Sequence, residues 1–186
     1  MVPVLQLWLP ILLSTVLVFL VSYVFHVVLP HHKGDHDDLP DEDAVRHALQ
    51  GVDLPPGDYV IPKARSAADM QDPAFQKKME EGPVAFLSAL PPGPVRMGGQ
   101  MAQWFVFSLF VGIFAAYVAG RSVGPGGEYL SVFRFAGVTA FVAYSLALWQ
   151  LPIFYGRKWR WAATFTFDGL IYGLLTAGVF GWLWPG

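Results

Sequence analysis

The chain has 186 residues, of which 54% are apolar and 14% charged, and its formal net charge is −2. That is oilier and less charged than an ordinary soluble domain, and it lacks the basic stripe of a nucleic-acid binder, so no nucleic-acid partner is expected. There is no cysteine, which removes disulfides, thiolate metal sites, covalent haem attachment and cysteine nucleophiles.

Residues 4–29 form the first apolar stretch, long enough for the ~20 residues that cross bilayer hydrocarbon. No Lys or Arg precedes Trp8 and no small-x-small cleavage site follows the run, so it is expected to be a retained span rather than a signal peptide. His26 stands near its end, where a ring can snorkel toward water. No second intramembrane histidine accompanies it, which disfavours bis-histidine haem ligation and leaves no cofactor to expect.

Immediately after comes His31-His32-Lys33-Gly34-Asp35-His36-Asp37-Asp38. Imidazoles and carboxylates suit zinc, nickel or copper, which makes His31, His32, His36 and Asp35 a metal candidate. The spacing matches no closed-site pattern, and Lys33 and Gly34 interrupt it. The simpler expectation is a solvated juxtamembrane run.

Residues 30–97 read as a small membrane-proximal α/β appendage, acidic and rich in proline. Pro40-Asp41-Glu42-Asp43 opens a helix that Gly51 stops, and Asp72-Pro73 opens another that Gly82 stops. Residues 57–61 and 83–88 read as short strands bounded by prolines, and Ser66-Ala67-Ala68-Asp69 as a capping box. The apolar residues are too few for a comfortable independent core at ~65 residues, so docking on lipid, on the bundle or on another protein is expected.

Three further apolar stretches, residues 98–120, 129–151 and 161–184, complete an all-α membrane protein, a four-transmembrane-helix bundle. Of the 12 Lys and Arg and 14 Asp and Glu, 19 lie in residues 30–97 and only Arg134 and Asp168 fall inside spans. Small residues recur at helical spacing, with Gly112 and Ala116 in the second span and Gly169, Gly173, Ala177 and Gly181 in the fourth. Such stripes let helices approach closely in lipid. They predict a tight core of spans two, three and four, with the Leu- and Val-rich first span peripheral.

All seven tryptophans fall near span ends, as an amphipathic indole prefers. Arg157, Lys158 and Arg160, flanked by Trp159 and Trp161, suit anionic headgroups. Four spans put both termini on one side. The positive-inside rule, counting Lys33, Arg46, Arg96, Arg157, Lys158 and Arg160 against Arg121 and Arg134, places residues 30–97 in the cytoplasm and the termini in the periplasm.

Asp168 is the most telling single residue. A carboxylate inside a span costs at least ~2.5 kcal/mol near the centre, so it is by default a functional position. It lies about 10 Å deep in the fourth span, level with His26 if the first helix adjoins. A hydrogen bond to Thr164, Thr166 or a neighbouring helix end is the plainer account, since no second intramembrane acid is present to form a relay.

No phosphate loop, zinc-protease motif or nucleophile elbow occurs, and neither broken repeats nor internal symmetry suggests a transporter. The runs Pro56-Gly57-x-Tyr59-x-x-Pro62, Gly82-Pro83, Phe154-Tyr155-Gly156-Arg157-x-Trp159 and Asp168-Gly169-x-x-Tyr172-Gly173-Leu174, with the closing Ala177-Gly178 and Gly181-Trp182-Leu183-Trp184-Pro185, resemble a family of small four-span bacterial membrane proteins of unknown function. The resemblance implies a fold and a compartment, the bacterial inner membrane, with no activity or site residue. The expectation is a non-enzymatic accessory or scaffold subunit that binds a protein partner or itself within the lipid bilayer. A small transporter using Asp168 and a metal sensor using the histidine run are the alternatives.

Overall fold

The computed structural model describes residues 1–186 and is mostly helical, with four helices long and apolar enough to cross a membrane. The first, α1 (Trp8–Tyr23), is extended by a 3-10 turn at Val4–Leu7 and a wider π turn at Val24–Val28. Two short helices, α2 (Glu42–Gly51) and α3 (Pro73–Glu81), precede α4 (Gly98–Ser122). The third long helix is α5 (Tyr129–Ser145), which continues through a 3-10 turn at Leu146–Trp149 into α6 (Gln150–Tyr155). The last is α7 (Trp159–Trp182).

The third long helix thus runs to Tyr155 instead of ending at 151. Pro152 accounts for the tightened turn before it, because a proline ring collides with the carbonyl four residues back and removes a helical donor. Gly156, at φ 66°, then ends α6 in the left-handed region.

The four helices form a ring in which α1 and α5 each pack between α4 and α7, and the α5–α7 pair is the most extensive. The first span is therefore a full member of the bundle, against the expectation that it is peripheral. The small-residue stripe of α4 explains this, since it receives α1. A Cβ on Gly112 would lie 3.4 Å from the side chain and carbonyl of Ile11, and one on Gly120 would collide with the Val2 carbonyl oxygen. The stripe of α7 receives α5 instead. Gly169 packs on Ser145, Gly173 on the Gly137 carbonyl and Phe141, Ala177 on Gly137, and Gly181 on Tyr129.

Leu7, Val18, Ala116, Val132, Ala136 and Phe180 fill the interior. Outward positions such as Leu5, Phe110, Phe114, Val138 and Trp182 stay exposed, and less than half of each apolar stretch is buried in the protein. One end of the ring is closed by backbone. Val2 N–H donates to the Gly120 carbonyl at 2.8 Å, Gly126 N–H to Pro185 at 2.9 Å, and the Trp184 indole to Gly124 at 2.9 Å. Both termini and the α4–α5 loop therefore share that end, as four passes require.

The chain divides into two compact units, Met1–Asp37 with Arg96–Gly186, and Asp38–Val95. Residues 30–37 thus belong with the helices and not with the appendage. The appendage has the expected elements. Strands β1 (Gly57–Ile61) and β2 (Ala85–Ala89) pair antiparallel with Gly57 opposite Ala89 and Ile61 opposite Ala85. Asp41 caps α2 and Asp72 caps α3, each accepting from a backbone N–H. None of residues 38–95 is buried, in line with a unit short of apolar residues.

Candidate functional site

At the bundle end opposite the termini, the chain leaves its first helix and turns back. Pro30 disfavours a helical Leu29, which is extended at ψ 139°, and the chain enters a 3-10 turn at Pro30–His32. The turn is closed by Lys33 N–H on the Pro30 carbonyl and continued by Asp35 N–H on His32, both at 3.0 Å. It brings two rings of the histidine run onto α7.

His31 Nε2 lies 3.0 Å from Asp168 Oδ1 and His32 Nε2 lies 2.8 Å from Asp168 Oδ2. The other nitrogen of His32, Nδ1, is 2.7 Å from Asp35 Oδ2. Asp168 is 1% exposed and Asp35 7%. A second buried acid is therefore present after all, and it connects to the first through one imidazole. The run is no solvated tail, since His31 and His32 are half-buried and Asp35 is buried. Thr164 and Thr166 do not serve Asp168. Their hydroxyls donate to the carbonyls of Arg160 and Ala162 in their own helix.

His26 joins from the end of the first span. Its Nδ1 is 2.9 Å from the Ser22 carbonyl, and its ring stacks on His32 with centroids 4.3 Å apart. His31 and His32 are also 4.3 Å apart. One ligand atom each from His26, His32 and Asp168 lie within 4.8 Å of one another. Beneath them is an aromatic floor, where Phe25 meets His31 edge-on and stacks on Tyr172, and the Trp104 indole donates to Ser22 Oγ at 2.8 Å.

The basic cluster holds this loop in place. Lys158 reaches Asp37 at 2.6 Å and the Gly34 carbonyl at 3.3 Å, while Arg157 approaches the exposed His36 at 3.5 Å. Arg160 lies over Gly34, where a Cβ would come within 2.7 Å of its Cζ. Glycine at 34 is what lets the guanidinium approach. Trp159 is exposed and meets Trp149 edge-on, and Trp161 packs on Phe165. His36 is not part of the cluster around Asp168. Ser22, Gly34 and Tyr172 also serve the site, and of these only the glycine between Lys33 and Asp35 carries a signal of close contact in the sequence.

Arg134 sits elsewhere, exposed on α5 and without any hydrogen bond or ion pair. It borders a groove of about 190 Å³ between α5 and α7, lined by Phe133, Gly137, Val138, Leu170, Gly173 and Leu174 among others.

No protein-family model, curated protein or solved structure matches the chain.

Proposed function

We propose that the chain is a multi-pass protein of a bacterial inner membrane, not an enzyme, that acts as an accessory or scaffold subunit. It binds a partner helix, or a second copy of itself, along the α5–α7 face. The observation that carries this reading is Arg134. An arginine within a span normally faces a bundle interior or pairs with an acid, yet this one points outward beside a groove built on glycines. Arg134 lies about 7.5 Å from the start of α5, so its side chain can lift the charge toward headgroups. Headgroups leave the groove beside it unfilled, and a helix with small or apolar residues and an acid opposite Arg134 answers both. The uncored appendage supports the same role as a cytoplasmic docking element.

The absence of native cysteine makes a clean test. A Val138→Cys variant, oxidised in native membranes, is expected to cross-link to itself or to one partner, and Arg134→Leu to weaken that product several-fold. A lone monomer in mild detergent with no cross-link would contradict the reading. Orientation is checked with His36→Cys and Glu128→Cys. An impermeant maleimide applied to intact spheroplasts should label the second and spare the first. Transport through Asp168 has less support, because His31 and His32 cover its carboxylate where a polar path would need water.

A further inference from the structure

The protons around Asp168 do not balance within the protein. His26 is the simplest ring. A carbonyl only accepts, so Nδ1 carries the hydrogen toward Ser22 and Nε2 is left with a free lone pair. His32 is the hardest, because both its nitrogens face carboxylate oxygens, at 2.7 and 2.8 Å, and a neutral imidazole has only one N–H. His31 gives Nε2 to Asp168 and leaves Nδ1 buried with no partner.

Two buried carboxylates need two positive charges. Protonating both His31 and His32 would supply them, but it would set two cations with ring centroids 4.3 Å apart and bury an N–H of His31 without an acceptor, which costs the full desolvation of that group. A divalent cation supplies the same charge with neither penalty when His31 stays neutral, its one hydrogen on Nε2 given to Asp168 and its Nδ1 bare.

We propose that His26, His32 and Asp168 bind one divalent transition-metal ion of the zinc class. His26 and His32 present Nε2 and Asp168 presents a carboxylate oxygen, while His31 gives its Nε2 hydrogen to Asp168 Oδ1. His32 then keeps a single hydrogen on Nδ1, given to Asp35, and His26 keeps one on Nδ1, given to the Ser22 carbonyl. This is the outer-partner arrangement that fixes tautomer and ring angle at metal-bound histidines. Imidazole nitrogens with one carboxylate suit zinc, cobalt or nickel, and not calcium or magnesium, which take oxygen. Tetrahedral zinc at ~2.0 Å bonds holds its ligands about 3.3 Å apart. The 4.8 Å spread of the His26, His32 and Asp168 atoms therefore needs only a small inward movement. With three protein ligands the fourth tetrahedral position falls to water, and the ion ties the end of the first span and the following loop to α7. The inference stands apart from any partner at Arg134.

The full chain, purified in detergent and stripped with chelator, is titrated with Zn²⁺ and with Co²⁺. The expected result is one ion per chain, with the intense visible absorption of tetrahedral cobalt. His26→Ala should weaken binding at least tenfold. It leaves the contacts of His31 and His32 with Asp168 intact, so the variant is expected to fold. Asp35→Asn should weaken binding 10- to 100-fold, and His36→Ala should change nothing. No stoichiometric binding by the parent, or equal affinity in a monodisperse His26→Ala variant, would overturn the proposal.

Discussion

The two ends of the helix bundle are closed by different chemistry. At the end that carries the termini, backbone groups and an indole make the joins: Val2 to Gly120, Gly126 to Pro185, Trp184 to Gly124. At the other end the joins are ionisable side chains, Asp168 to His31 and His32, His32 to Asp35, and Lys158 to Asp37. Backbone closure asks only for small residues where chains meet, and nothing about it can change its charge. Side-chain closure can be opened or tightened by an ion or by a substitution. Asp168 lies about six-tenths of the way from the α7 C-terminus to its start, and backbone closure alone asks for no such buried acid, so the polar end is where function is to be sought.

The contrast can be broken most strongly at Asp168. Asp168→Leu leaves the Nε2 atoms of His31 and His32 facing an apolar side chain, and removing one partner of a buried charged set costs about 3–5 kcal/mol. Unfolding in mixed micelles should register that loss, and an effect below about 1 kcal/mol would deny Asp168 its role as a hub. Gly120→Val tests the opposite end. Its Cβ runs into the Val2 carbonyl oxygen, and overpacking of this kind costs about 1–3 kcal/mol, with no effect on metal binding at the far end. Trp184→Phe removes one hydrogen bond to Gly124 and should cost about 0.5–1.5 kcal/mol by the same assay.

Most of this architecture was legible in the sequence, and the reasons are local. Span lengths, the tryptophans near their ends and the proline and glycine boundaries of α2, α3, β1 and β2 are all properties of short windows. The bundle's pairing was less legible, because a stripe such as Gly112 and Ala116 shows that a helix is approached closely without showing by which neighbour. The Asp168 cluster was the least legible. His32 and Asp168 are 136 positions apart, and their contact depends on a single reversal at Leu29-Pro30. His26, His31 and Asp168 could each be suspected alone. Only the turn makes them one site, and only the turn buries Asp35.

The smallest expected effect belongs to the appendage and serves as a control on both ends. Asp69 accepts from the Ser66 hydroxyl and from the Arg65 and Ser66 amides. The Ser66 hydroxyl first, and then the Arg65 amide, hold its carboxyl below the ordinary value of 3.8. A depressed carboxyl contributes its stability above the unfolded value and loses it as pH falls through the folded one. Protection of the Arg65 and Ser66 amides against exchange, relative to the unfolded chain at the same pH, should therefore fall only below about pH 4. Fast exchange already at neutral pH would show that the turn is not formed.

The central claim is that Asp168 and His32, distant in sequence, act as one joined pair. A double-mutant cycle with Asp168→Asn and His32→Gln, measured by unfolding in chelated detergent solution, tests it directly. Joined groups should couple by about 1–3 kcal/mol, whereas Asp168→Asn with Trp184→Phe should add within about 0.5 kcal/mol. Additive losses for Asp168 and His32 would contradict the account.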